Sequence, residues 1–277
     1  MHQVSLTLDG KPYHFTAETE RSFGRPEVLF AEEALFGGEP EWRERGYAVV
    51  DLLDPDTMAR MVEGLTARVA RDLVELQPGL DLGRTAQALR QGQYHRIVAS
   101  DDIHRQLVRR TANYRHSDLP IPAPDIYGRL QPHVRARLSE ANPRLATEIV
   151  TVRLSRPGSR DFNPPHKDVY LDFYRGTLNV WMPLVGCSEQ STLPLVPGSH
   201  LWPEDQVDRG VSGNLFNGLR FNGPVVFGGP QPLAFVRPKV RPGQALVFTP
   251  NLVHGCAMNL GTDITRMSLE LRPVWSL

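Results

Sequence analysis

The sequence predicts an α+β chain, mainly β, with helices in its first half and a sandwich or barrel of short strands in its second. Three observations lead there. An apolar stripe at helical spacing runs from Met58 to Leu73, short apolar runs take over from about residue 147, and proline and glycine punctuate the gaps between those runs. The 277 residues suffice for one large β-rich domain, expected over 1–277: a hairpin and helical wrapping in 1–145, a β core in 146–272.

Taken in order, Val4 to Leu8 alternates, Asp9-Gly10 is a turn pair, and Lys11 to Phe15 returns, which predicts a hairpin over 4–15. Residues 47–53 read as a short strand. A helix follows: Asp54 can cap it, Pro55 suits its first turn, and Met58, Met61, Val62, Leu65, Val69 and Leu73 form its apolar face. Shorter helical patterns cover about 101–112 and 132–141. The clearest strands are Ala146 to Leu154, Thr177 to Leu184, Thr192 to Val196, Ala245 to Thr249 and Arg266 to Leu271. Residues 200–243, rich in glycine, asparagine and proline, interrupt that series, and phenylalanines such as Phe216 and Phe221 argue against disorder. The expectation is a partly ordered lid, with a structural insertion packed on the barrel rim as the other reading.

Composition excludes several classes. The 31 basic and 31 acidic residues balance, so no basic stripe predicts a nucleic-acid partner. Only Lys11, Lys167 and Lys239 are lysine, a bias that points to a GC-rich bacterial genome. Two cysteines, Cys187 and Cys256, fit a reducing cytosol. Met1-His2-Gln3-Val4 has no basic segment leading into an apolar run, and no stretch of about 18 apolar residues occurs, so the expected location is cytoplasmic, away from membranes.

The chemistry starts at Pro165-His166-Lys167-Asp168. In a strand, residues two apart face one side, so His166 and Asp168 can aim at one ion while Lys167 points away. Iron(II) in oxygenases takes two imidazoles and one carboxylate on one face of an octahedron. A lone His-x-Asp is common on ordinary strands, so a second histidine must come from elsewhere. His254 qualifies, following a turn and the apolar run Ala245 to Thr249. In Arg266 to Leu271, Arg266, Ser268 and Glu270 share one face and Met267, Leu269 and Leu271 the other. If the apolar face is packed, Arg266 turns toward a cavity, where its planar fork suits a carboxylate.

These motifs together resemble the phytanoyl-CoA dioxygenase-like branch of the iron(II)/2-oxoglutarate oxygenases, over roughly residues 46–272. Gly46 to Val50 is similar to that family's opening strand, His166-Lys167-Asp168 to its metal motif, and Pro197-Gly198-Ser199-His200 to its turn. Pro242-Gly243, His254-Gly255, Asn259, Arg266 and Ser268 are similar to its C-terminal block. The resemblance implies a double-stranded β-helix, a jelly-roll barrel with N-terminal helices packed on it. It implies Fe(II) on His166, Asp168 and His254, 2-oxoglutarate as cosubstrate gripped by Arg266 with Ser268 nearby, and O2 as oxidant. Trp181 and Asn179, which share a face, are expected beside the cosubstrate, although a plain core tryptophan is an equal reading of Trp181.

The sequence departs from the family where Asn-Gly often precedes the Pro-Gly-Ser-His strand; here it reads Gln190-Ser191. An aspartate at Asp168, where related halogenases carry a small residue, implies oxygenation. His200 and Cys256 read as structural, and His95, His104, His116 and His133 as surface or helix residues, with Tyr94-His95-Arg96 placed to fold over the barrel mouth. Mixed charges in the presumed lid (Glu204, Asp205, Asp208, Arg209, Arg220), with Asp161 and Asp172 beside the metal motif, suggest a small polar substrate. The rival readings are a differently metallated cupin-like isomerase or hydrolase, and a binding module without catalysis.

Overall fold

The computed structural model describes residues 1–30, 40–139, 148–159 and 162–276. Its core element is a six-stranded antiparallel sheet, in the order Tyr47–Asp51, Gln244–Phe248, Asn179–Val185, Arg266–Leu271, Ile149–Ser155, Tyr114–Arg115. Period-two alternation gives this sheet two unlike faces. Val180, Met182 and Leu184, Ala245 and Val247, and Met267, Leu269 and Leu271 pack into one cluster with the N-terminal helices. The residues between them, Trp181, Leu246, Phe248 and Arg266 among them, turn inward.

The helix that backs the sheet spans Pro55–Leu76. The Asp54 carboxylate accepts from the Thr57 amide at 2.8 Å, so the cap forms as its residue type dictates. Met58, Met61, Leu65, Val69 and Leu73 are buried, and Val62 lies partly buried at the edge of the stripe. Each such side chain contributes roughly 1.5–3 kcal/mol relative to leaving it in water.

Across the cavity, the barrel's second wall is made of short pairings. His166 bridges His254, and Leu195 bridges both His254 and Val236. Outside it lies a five-stranded sheet in the order Leu219–Phe221, Asn214–Phe216, Lys11–Glu18, His2–Leu8, Ala234–Phe235, with a three-stranded sheet of Val226–Gly228, Asp208–Gly210 and Arg21–Ser22 beside it. The chain thus builds a double-stranded β-helix with helices on one side.

Several sequence expectations change here. The N-terminal hairpin forms with Asp9 and Gly10 at φ +50° and +79°, the pair of positive values that a type I′ turn needs. It serves the insertion side, pairing with 214–216 and 234–235, rather than the helical side. Residues 200–243 form no open loop: five short strands lie within them. Asn217-Gly218, at φ +48° and +79°, makes the same turn as Asp9-Gly10 and was a legible hairpin signal. No helix covers 132–139. Ala123–Leu130 is helical, Gln131–His133 tightens into a 3-10 turn, and Arg137–Ser139 pairs as a strand with Val274–Ser276. Pro132, lacking an amide hydrogen, cannot sustain a helix there. Helices Leu82–Arg90 and Tyr94–Ile97 were not expected. Of Thr192 to Val196, Leu195 alone pairs, through bridges. Residues 140–141 of the expected helix, 146–147 of the expected strand, and Asp161 lie outside the described residues.

Candidate metal centre and its cavity

His166, Asp168 and His254 meet as the sequence predicted. One ligand atom from each lies within 4.8 Å of the others, and all three residues are buried. The histidines come together because their backbones pair: each amide donates to the other's carbonyl, at 2.9 and 3.0 Å. Asp168 begins a 3-10 turn instead of continuing a strand, and its Oδ1 lies 3.4 Å from His166 Nε2 and 3.7 Å from His254 Nε2.

The hydrogen bonds set each donor's orientation. His166 Nδ1 donates to the Pro164 carbonyl at 2.7 Å, and His254 Nδ1 donates to the Leu252 carbonyl at 3.0 Å. With the proton on Nδ1 in each ring, the Nε2 lone pairs face the centre, as a metal ligand requires. Burial, reinforced by neighbouring His166, pulls the His254 pKa down to about 4, which keeps that imidazole neutral near neutral pH. Burial alone would raise the Asp168 pKa. The Arg272 guanidinium and the two histidines outweigh it and hold the carboxyl well below its ordinary value.

Arg272 was not foreseen. Its Nε and Nη2 donate to Asp168 Oδ2 at 3.3 and 3.2 Å, and Nη2 also reaches Glu270 Oε2 at 3.3 Å. Arg153, itself partly exposed, completes a charged quartet through Glu270 at 3.0 Å. The alternation Arg266, Ser268, Glu270 continues to Arg272 on the same face, a signal lost by ending the strand at Leu271. Asn179 also acts on the metal motif: its Nδ2 donates to Asp168 Oδ2 at 3.0 Å. Asp168 therefore spends one oxygen on the protein and keeps the other for the centre.

A cavity of about 620 Å³ opens from this centre. Arg266 lines it and donates from Nη2 to the Ala257 carbonyl at a long 3.4 Å. Ser268, fully buried, shares its face. Ser268 Oγ and Trp181 Nε1 find no hydrogen-bond partner among the described residues, and each such buried polar atom costs stability unless a ligand satisfies it. A dicarboxylate with acceptor oxygens fits Arg266 and Trp181, which line the cavity, whereas Ser268 does not line it.

The insertion reaches the cavity too. Phe216, Arg220 and Phe221 line it, and the Phe221 ring meets His166 edge-on at 5.0 Å. The charges that had suggested a polar lid are largely used elsewhere. Glu204 is buried, accepting from Lys167 at 2.7 Å, Tyr170 at 2.8 Å and Arg209 at 2.7 Å, and Asp208 pairs with Arg21 at 2.8 Å. His104, read as a helix or surface residue, is buried and lines the cavity, whereas Tyr94-His95-Arg96 does not line it and His95 bonds Thr265. His200 bonds the Arg43 carbonyl at 2.9 Å, and Cys256 sits in an apolar cluster, so both are structural.

Fold and donor set together define a class: a non-haem iron(II) oxygenase that uses 2-oxoglutarate and O2. The family model for phytanoyl-CoA dioxygenase (PhyH) matches residues 42–268, and the chain belongs to that family. No curated protein matches it in sequence. Among solved structures it is similar to AviO1 from Streptomyces viridochromogenes Tue57, at 16% identity and TM-score 0.43, covering 84% of this chain and 91% of that one. It is also similar to EvdO2 from Micromonospora carbonacea var. aurantiaca complexed with 2-oxoglutarate, at 18% identity and TM-score 0.47, covering 85% and 89%. A third is the epimerase SnoN from nogalamycin biosynthesis, at 20% identity and TM-score 0.46, covering 84% and 78%. No helix among the described residues is long and apolar enough to cross a membrane.

Proposed function

We propose that the chain oxidises an unactivated C–H bond of a small polar molecule, by hydroxylation or by oxidative ring closure or desaturation. The substrate class we favour is a natural-product intermediate such as a sugar, aminocyclitol or amino-acid derivative. His166 and His254 hold iron(II) through Nε2 and Asp168 through Oδ1, while Arg266 takes the far carboxylate of 2-oxoglutarate, with Trp181 as a further donor and Ser268 nearby. The observation that carries this reading is the division of labour among the donor atoms: every remote atom of the three ligands is already bonded to protein, and every near atom faces one point beside a cavity.

When bound, the iron and its cosubstrate supply the oxidant that removes hydrogen from carbon. The chain's own residues do the rest. Arg272 and Asn179 fix the Asp168 carboxylate, the Phe248 and Phe221 rings flank the imidazoles, and the apolar wall limits water near the reacting carbon. The test is succinate release from protein given iron(II), 2-oxoglutarate, O2 and a panel of small metabolites. We expect at least one metabolite to stimulate release by the wild-type protein, and none to do so with His166→Ala or His254→Ala. Equal release from either variant would show the triad to be misassigned.

A further inference from the structure

The charges lining the cavity fall into two groups. Deep inside, they cancel: Arg272 and Arg153 face Asp168 and Glu270, and Lys167 is turned outward onto Glu204. Arg266 also lines the cavity, on the sheet side, and is the residue read above as taking the cosubstrate carboxylate. At the rim they do not cancel. Arg105 and Arg109 lie on the helix Asp101–Thr111, one turn apart on one face, and Arg220 comes from the insertion hairpin. All three line the cavity mouth and are exposed. Arg105 has Asp102 at 3.6 Å, itself largely in water, and Arg109 and Arg220 form no ion pair with any described residue. Arg110, next in the helix, turns away to Glu75 at 2.7 Å. Like charges four apart on a helix repel, so this pair is unfavourable until an anion sits between them.

Between rim and centre the wall is aromatic. Phe162 and Phe216 pack at 6.1 Å, and Phe221 stands against His166 at 5.0 Å. We propose, resting on the oxygenase reading above, that the substrate is an acid. Its anionic group, a carboxylate or a phosphate, is held at the rim by Arg105, Arg109 and Arg220. Its carbon skeleton packs along Phe216 and Phe221, and its reacting carbon points to the His166–Asp168–His254 centre. Guanidinium forks suit both anions bidentately, and they repel an ammonium group. Within the polar metabolites considered above, the rim therefore selects acids over amines.

Four small probes share one ring and differ in the group they carry: phenylacetate, phenyl phosphate, 2-phenylethanol and 2-phenylethylamine. Their binding is measured by calorimetry, without O2, on protein carrying iron(II) and saturating 2-oxoglutarate, so that Arg266 is already engaged. We expect an anionic probe to bind at least tenfold more tightly than the alcohol, the amine to bind most weakly, and the anion preference to shrink in high salt. The double variant R109Q/R220Q is expected to lose that tenfold preference while iron and 2-oxoglutarate affinities hold. A preference for phenylacetate or for phenyl phosphate supports the rim site either way and identifies the anion. Equal binding of alcohol and anions, or an unchanged double variant, overturns the proposal. Repeating the titrations on metal-free protein separates the two readings. Rim-dependent anion binding without any iron affinity would sink the oxygenase reading alone; iron binding without anion preference would sink the rim alone.

Discussion

The two walls of the cavity are built differently. The six-stranded sheet supplies Asn179, Trp181, Arg266, Glu270 and Arg272 from strands of six and seven residues or their immediate ends, with packed helices behind. The insertion supplies Phe216, Arg220 and Phe221 from strands of three residues, with Leu215, Leu219 and Arg220 exposed. A long strand in a packed sheet fixes a side chain against many neighbours, which ligand geometry demands. A short, exposed hairpin has few such constraints and opens at low cost, which suits admitting a substrate. The two walls thus differ in strand length and in exposure.

The sharpest break of that comparison is at the rigid wall. Asp168→Ala is expected to abolish iron binding and also to destabilise the fold by about 3–5 kcal/mol, because Arg272 loses a buried partner. His166→Ala and His254→Ala are expected to lose iron with far smaller changes in melting temperature. If Asp168→Ala melts with the histidine variants, the charged quartet is not holding this wall. At the root of the insertion, Lys167→Met leaves Glu204 buried with a cation removed, and a loss of about 3–5 kcal/mol in denaturant unfolding is expected. A wild-type midpoint would mean that the root is as loose as the tip.

Arg272→Gln tests orientation without deleting a ligand. We expect iron affinity to fall about 10–100-fold, in the range typical of groups that orient metal ligands; unchanged affinity would remove Arg272 from the centre. Arg266→Lys keeps the charge and loses the fork, so 2-oxoglutarate affinity is expected to drop by about 1–3 kcal/mol. An unaltered cosubstrate requirement would separate Arg266 from the cosubstrate. The smallest effect lies in the hairpin. Protease nicking between Asp205 and Gly229 is expected to concentrate at 211–223, beyond the Glu204–Arg209 anchor, and to slow when substrate joins iron and 2-oxoglutarate. Nicking spread evenly, or indifferent to substrate, would erase the difference in stiffness.

Much of this was readable before any coordinates. His166-x-Asp168, the turn and apolar run before His254, and the alternation from Arg266 to Leu271 are local patterns, and local patterns report which side a residue faces. They singled out the donors that meet, and the family resemblance implied the class of chemistry. The capped helix at Asp54 and the Asp9-Gly10 hairpin were legible for the same reason. What periodicity does not report is which faces meet. Only the tertiary structure brought the helix of Arg105 and Arg109 to the same cavity as the hairpin of Arg220, and joined the first hairpin to the insertion rather than to the helices. It also turned Glu204 and Arg209, which composition had offered to the substrate, onto Lys167 and Tyr170. A side chain's facing is set by its own backbone within a few residues, whereas its partner is set by the packing of elements far apart in the chain.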